Sequence, residues 1–248
     1  MYNVKEIYYT FQGEGAYTGR PSVFCRFSGC NLWSGREKDR KKAECNFCDT
    51  DFLGTNGING GKFFNEKELG KKIISLWKNK DNKNKPYVVF TGGEPLLQLD
   101  KKLVNFLKLS NFEIGIETNG TRNLPCKVDW VCVSPKHEND FVLKKGDELK
   151  LIFPQKNINP KSLENLNFKY FFLQPMDGPN LKNNIKKTYD FCDKNKKWNV
   201  SLQIHKIVGM QLQIYLKLQS NLHLKLRIIF QICQKDIFIK KSTDIHLL

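Results

Sequence analysis

Residues Cys25–Thr50, CRFSGCNLWSGREKDRKKAECNFCDT, decide how the chain is read. Three cysteines in it, Cys30, Cys45 and Cys48, are spaced C-x14-C-x2-C. Soft thiolates gathered in one loop suit a transition metal or an iron–sulfur cluster. Three thiolates on a four-iron cluster leave one iron open for chemistry beyond electron transfer. With Cys25 added, giving C-x4-C-x14-C-x2-C, the same stretch suits tetrahedral zinc. Spacing alone does not choose between them. The preceding run Ser22–Phe27 is rich in β-formers and reads as a strand. Alternation along it turns Cys25 away from the face that carries Arg26, so Cys25 reads as core.

On the N-terminal side, VKEIYYTF reads as a strand entering the Gly-rich turn QGEG, where glycine permits close backbone approach. By itself that turn would be a plain hairpin. On the C-terminal side, Asn31–Glu44 is a polar insertion, partly helical. A helix is predicted over Lys67–Lys80 from the grouping of Leu69, Ile73, Ile74, Leu76 and Trp77. The buried strand Pro86–Phe90 then ends at TGGEP, followed by helical spacing of Leu99, Leu103, Val104 and Leu107. Short apolar runs follow at Glu113–Glu117, Trp130–Val133, Glu148–Phe153, Tyr170–Leu173 and Val200–Ile204. Helices fit Leu181–Lys196 and, weakly, Pro160–Leu166. Strands alternating with helices argue for a parallel α/β sheet. The gap Asn119–Val128 is too short for a crossover helix, which excludes a regular eight-fold barrel.

The 248 residues suffice for one sizeable α/β domain. No apolar run spans a bilayer and no secretory segment opens the chain, so a cytoplasmic protein with no membrane partner is expected. Eight cysteines in such a chain are ligands or buried thiols rather than disulfides; Cys126, Cys132, Cys192 and Cys233 stand alone and read as buried. The net charge of +16 invites a nucleic-acid reading. The lysines are dispersed among asparagines, as in KNKDNKNK at Lys78–Lys85, and fit a solvated face with no nucleic-acid partner.

The order of motifs resembles a family. The cysteine loop resembles that of the radical S-adenosylmethionine (SAM) enzymes. Its long spacing is similar to one family among them, the 7-carboxy-7-deazaguanine synthases of queuosine and 7-deazapurine biosynthesis. FQGEG, GRPSVFCRFSGCNLW, CDTDF, TGGEP, ETNGT, SPK, LQP and QIHK all match its motifs, in order, over roughly the first 210 residues. Beside TGGEP, the cysteines favour iron–sulfur over zinc. The resemblance implies a reduced radical SAM barrel of about six parallel strands, with motifs at the strand ends that line its active site.

Its implications for the site are specific. Cys30, Cys45 and Cys48 would hold a [4Fe–4S] cluster. SAM would be held by Phe47, Cys48, Asp49, Thr91, Gly92, Gly93, Glu94, Ser134, Pro135, Lys136, Gln174, Pro175, Met176 and Asp177. The substrate would be 6-carboxy-5,6,7,8-tetrahydropterin, met by Phe11, Gln12, Gly13, Glu14, Arg26, Thr91 and His205, with Arg26 as a bidentate carboxylate clamp. A 5′-deoxyadenosyl radical would take the C6 hydrogen, and ring contraction with loss of ammonia would give 7-carboxy-7-deazaguanine. No side chain is assigned as catalytic. Thr50 would ligate Mg2+. The family also implies an electron donor such as flavodoxin or ferredoxin, and a homodimer.

Two departures from the family stand out. Ile204 occupies a position where Thr is usual. Beyond residue 209 the match ends, whereas family chains end near Gln211. Residues 210–248 lack glycine and proline, and their alternating Leu and Ile give strand periodicity without turns. A frame-shifted or read-through tail and a genuine added strand pair both fit. Two other functions compete: an activating enzyme for a glycyl-radical partner, and a basic zinc module contacting nucleic acid.

Overall fold

β-Branched and aromatic runs separated by Gly, Pro and Asn become the strands of one curved sheet. The computed structural model describes residues 1–78, 85–138 and 141–207. In chain order these form β1 (Tyr2–Phe11), β2 (Pro21–Phe27), β3 (Gly61–Phe63), α1 (Glu66–Leu76), β4 (Tyr87–Gly92), α2 (Lys101–Leu109), β5 (Glu113–Thr118), β6 (Trp130–Val133), β7 (Lys145–Phe153), β8 (Asn167–Pro175), α3 (Leu181–Lys194), β9 (Asn199–Val200) and α4 (Ile204–Ile207). The sheet order is β3-β1-β2-β4-β5-β6-β7-β8-β9.

From β2 onward every neighbouring pair is parallel, through β4, β5, β6, β7 and β8 to the two-residue β9. The fold is α/β and the six longer parallel strands match the reduced barrel. The parallel pattern ends at one edge, where β1 pairs antiparallel with both β2 and β3, as a hairpin at the QGEG turn requires. The reason is connection length: a short turn joins β1 to β2, and only antiparallel strands can be joined that way. That turn is closed by Gln12 N–H donating to Arg20 O at 2.8 Å and Gly19 N–H to Gln12 O at 2.7 Å.

Helices cover the outer face only where a crossover is long enough. α1 begins at Asn65, whose side chain accepts from Glu68 N–H at 3.0 Å while Glu68 takes Phe64 N–H at 2.9 Å, a reciprocal cap. Asp100 caps α2 by accepting from Leu103 N–H at 2.9 Å. No helix joins β5 to β6. The weak helix over Pro160–Leu166 is only a 3-10 turn at Pro160–Leu163, and the cysteine insertion holds another at Glu37–Lys42. The apolar run Val200–Ile204 is not a strand: β9 stops at Val200, and Ile204 N–H turns away to Gly13 O at 3.2 Å. Part of the lysine–asparagine run, Cys233 and the tail lie outside the described residues.

The period-two alternation divides the sheet. Outward, Cys25, Phe27, Val88, Phe90, Ile114 and Ile116 join Leu69 and Ile73 of α1 and Leu103 and Leu107 of α2 in the main core, which continues along the sheet to Leu149 and Leu151 of β7. Inward, Tyr8, Phe24, Tyr87 and Val89 form a smaller cluster with Tyr17. Tyr17 rises from the β1–β2 turn and stacks on Trp130, centroids 4.0 Å apart, while Arg20 lies 3.9 Å over Tyr87. Tyr87 and Trp130 open β4 and β6, so these rings close the amino-terminal end of the interior. The carboxy-terminal end is where the motifs lie.

Candidate active site

The cysteine loop leaves β2 and the diglycine leaves its parallel neighbour β4. Arg26 pairs with Thr91 and Phe27 with Gly92 in register. The two turns then press together: Glu94 N–H donates to Gly29 O at 3.0 Å. A Cβ on Gly93 would lie 2.2 Å from Gly29 O and 2.6 Å from the Cys30 Cβ, so only glycine fits there. Glu94 is fully buried; its carboxylate accepts from Thr118 Oγ1 at 2.7 Å, Asn119 N–H at 2.8 Å and Leu96 N–H at 2.9 Å. It braces the turn, which leaves the glycine backbone as the surface the turn offers to a ligand.

Cys30, Cys45 and Cys48 are brought together. The Cys45 thiol hydrogen-bonds Cys48 and lowers its pKa to about 6, helped by the Thr50 N–H and Lys136. That hydrogen bond, followed by burial, raises Cys45. Burial raises Cys30, against N–H groups of Leu32 and Trp33 aimed at its sulfur. Each thiol lies within electrostatic reach of the other two. Sulfurs grouped on one edge, receiving backbone N–H bonds and flanked by a lysine, fit an iron–sulfur cluster. The zinc reading fails on geometry. Cys25 is fully buried in the outer core, on the far face of β2, and its burial raises its pKa.

The insertion between the first two cysteines folds back as a brace. Arg40 lies 4.1 Å over the Trp33 ring and donates to Asn46 O at 3.1 Å and Cys48 O at 2.9 Å. Lys136 donates to Ser134 Oγ at 2.7 Å and lies 6.0 Å over the Phe47 ring, which draws the Ser134–Lys136 motif to the thiols. Asp49 and Asp177 share Lys206, at 2.6 and 2.5 Å. Burial would raise Asp49, but Lys206 holds it below the usual carboxylate range. Gln174 accepts from Ser201 Oγ at 3.3 Å, and Met176 N–H caps β7 at Phe153 O, 2.7 Å away. Every proposed SAM-holding stretch therefore reaches the same sheet edge.

Of the residues expected to meet a substrate, Arg26 lies on the interior face, whereas Phe11 shares the face of β1 that carries Tyr9 into the outer core. Arg26 is oriented by Glu6 (Nε to Oε1, 2.9 Å) and Tyr8 (3.3 Å). Burial alone would lower the guanidinium, but Tyr8 and Glu6 more than offset it. The Gln12 amide is taken by the protein: it donates to Glu117 Oε1 at 3.0 Å and accepts from Glu14 N–H at 3.1 Å. Phe11 ends β1, edge-on to Tyr9 at 6.5 Å. His205 is half-buried against the turn, its Nδ1 2.8 Å from where a Gly13 Cβ would stand. Burial lowers its pKa, opposed by Glu14. Thr50 is half-buried directly after the cysteine pair.

Several interior residues escaped the sequence reading. Lys150 on β7 lies 2.6 Å from Glu14 and 3.7 Å from Glu117. Glu148 accepts from Ala16 N–H at 3.1 Å and, at 3.5 Å, from the Cys132 thiol. The signal was present: Glu and Lys alternate with apolar residues in DELKLIF, as they do on a strand with one polar, interior face. The Gln203 and Lys206 contacts with Glu14 and Asp49 also went unread, although QIHK was noted.

No protein-family model matches the chain. Curated relatives do. The chain is 52% identical over 210 residues to a 7-carboxy-7-deazaguanine synthase of Bradyrhizobium diazoefficiens, covering 85% of this chain and 99% of that one. It is 51% identical over 209 residues to the synthase of Burkholderia multivorans, covering 84% and 99%. Among solved structures, the crystal structure of QueE from Escherichia coli superposes with a TM-score of 0.63 at 25% identity, covering 82% of this chain and 94% of that one. These relatives overturn the glycyl-radical-activating and nucleic-acid readings. Among the described residues no helix is long and apolar enough to cross a membrane.

Proposed function

The chain belongs to the 7-carboxy-7-deazaguanine synthase family of radical SAM enzymes, and on that premise we infer that it converts 6-carboxy-5,6,7,8-tetrahydropterin to 7-carboxy-7-deazaguanine with loss of ammonia. A [4Fe–4S] cluster and SAM are its cofactors; bound together they supply one-electron, hydrogen-abstracting chemistry at the pterin C6. One observation carries the reading: the three thiols and the diglycine turn meet on one sheet edge, and the only arginine on that strand pair, Arg26, faces the interior beside them.

The remaining roles follow from what each residue offers. Cys30, Cys45 and Cys48 hold the cluster, their sulfurs supplied with N–H bonds. The backbone of Gly92 and Gly93, with Thr91, holds the methionine end of SAM, while Glu94 fixes that turn from behind. Phe47–Asp49, Ser134–Lys136 and Gln174–Asp177 hold the rest of SAM; Phe47 and Lys136 supply an apolar face and a cation, Asp49 and Asp177 supply acceptors. Arg26, held at Nε by Glu6, takes the substrate carboxylate with its outer nitrogens. The turn Phe11–Glu14 and His205 cover the pterin. Thr50 Oγ1, a hard oxygen beside the cluster, ligates Mg2+ with substrate and water. A small electron-transfer protein such as flavodoxin or ferredoxin reduces the cluster, and two chains pair as a homodimer.

Residues 1–209 form the catalytic domain, and 210–248 are an appendage to it. The abrupt composition change and the relatives' lengths support that division. The test is anaerobic reconstitution with iron and sulfide, followed by assay with the carboxy-tetrahydropterin, SAM, Mg2+ and a reductant. Release of 7-carboxy-7-deazaguanine supports the function; a reconstituted brown protein that cleaves SAM yet leaves the pterin intact overturns it. Truncation after Gln211 tests the division: retained turnover supports it, and a chain that no longer folds overturns it.

A further inference from the structure

Lys150 is 5% exposed, and a buried lysine demands a reason. Its neighbours are acidic from several elements. Glu14 comes from the β1–β2 turn and Glu117 from β5; Glu148 lies on β7 itself, with the Cys132 thiol beside it on β6. His205 of α4 faces Glu14. Lys150 Nζ donates to Glu14 Oε2 at 2.6 Å and sits 3.7 Å from Glu117 Oε1. Gln12 Nε2 donates to the same Glu117 oxygen at 3.0 Å, and Gln203 Nε2 to Glu14 Oε1 at 3.0 Å. Glu117 is thus held from one side, leaving Oε2 as an acceptor facing the interior among the described residues. Arg26 lies across the interior on β2. The inward face of the sheet therefore carries a cation on β2 and, toward β5 and β7, an acceptor pair backed by Lys150.

We propose that Lys150 is a positioning residue: it holds Glu14 and Glu117 together as one acceptor edge for the adjacent N–H donors of a 2-amino-4-oxopyrimidine. The assignment rests on the pterin reading above. It goes further by naming the side chain that holds the acceptors of the first turn and of β5 in place. Burial would raise the Glu14 carboxyl, and Lys150 is the main group that holds it down. A carboxyl that takes a proton becomes a donor facing donors. The other groups do not substitute for Lys150. Burial raises Glu148, so it is the poorer anion, and burial lowers His205, so it is the poorer cation.

The test is Lys150→Met against Lys150→Arg, each reconstituted and assayed for the carboxy-tetrahydropterin between pH 6.5 and 9. The wild-type enzyme, assayed alongside, must first turn over this substrate; its failure would overturn the functional reading rather than this one. Lys150→Met is expected to raise KM about tenfold or more at the acid end, with partial recovery as pH rises, and with SAM cleavage retained. Lys150→Arg restores a KM that is flat with pH. A loss confined to kcat or cluster content, or a KM rise equal at every pH, would overturn the proposal. If Lys150→Met does not fold, the double variant Lys150→Met/Glu14→Gln carries the test, since Glu14 is the buried carboxylate that Lys150 pairs most closely. Removing one carboxylate should restore folding, with a KM high and independent of pH; a pH-dependent KM in that variant also overturns it.

Discussion

Cys25 and Arg26 are neighbours in sequence and opposites in role. Cys25 points outward into a dry core beneath α1 and α2; Arg26 points inward to Glu6, Tyr8 and the interior. The same contrast recurs at Leu149 and Lys150, and at Ile116 and Glu117. One face of the sheet holds the fold together by apolar burial. The other holds buried charges that are tolerable only because each has a partner. Stability and recognition are therefore separable by residue parity along a single strand, and substitutions on the two faces should fail in different ways.

The sharpest contrast is between two cysteines. Cys45→Ser should abolish the cluster absorbance and all turnover while the apoprotein stays folded. Cys25→Ser should keep iron content and cost about 1–3 kcal/mol of stability by burying a hydroxyl in an apolar core. Iron analysis and thermal melts read both; loss of iron in Cys25→Ser would break the separation. Next in size is Leu149→Ala, where an outward cavity should cost about 2–5 kcal/mol with KM unchanged in the protein that remains folded. Its inward counterpart, Arg26→Lys, should raise the substrate KM by about tenfold to a hundredfold, since a lysine cannot form the bidentate pair. The melting temperature should move little by comparison.

The smallest effect is a slope with pH. Burial raises Glu148, so ionising it in the folded state is unfavourable. Its folded pKa lies above the unfolded one. The stability this group contributes is full below the unfolded value and is lost as pH rises through the folded value. Glu148→Gln removes that loss, so its stability relative to the wild type should improve as pH rises from 4.5 toward 8, read from melts across that range. A difference that is constant with pH would mean Glu148 ionises freely and the interior is wetter than its geometry implies.

Much of this was legible in the chain. The C-x14-C-x2-C loop, TGGEP and the strand-end positions of SPK and LQP were expected on one edge of the sheet and are found there, because parallel strands deliver their ends to one side. Alternation alone set Cys25 apart from Arg26. Other features were not legible. The departure of Ile204 from the sheet depends on a hydrogen bond to Gly13, a partner 191 residues away in the chain. Glu94 was read among the SAM-holding residues, and only the fold shows that its carboxylate also accepts from Thr118 Oγ1 and Asn119 N–H. Arg40 looked like one more surface charge within a basic insertion until its contacts with Trp33 and Cys48 were seen.

By itself the sequence determined which atoms were available: three soft sulfurs, a bare diglycine, a guanidinium on a strand, and a periodicity that assigns each residue to a face. Those are local properties, fixed by side-chain chemistry and backbone repeat. Only the tertiary structure decided which charges meet. Lys150, Glu14 and Glu117 come from β7, the first turn and β5, and nothing in their separate neighbourhoods pairs them. Curling the sheet brings them within a few ångströms in a space with little water. There Coulomb interactions are strong enough to fix which groups keep their charge.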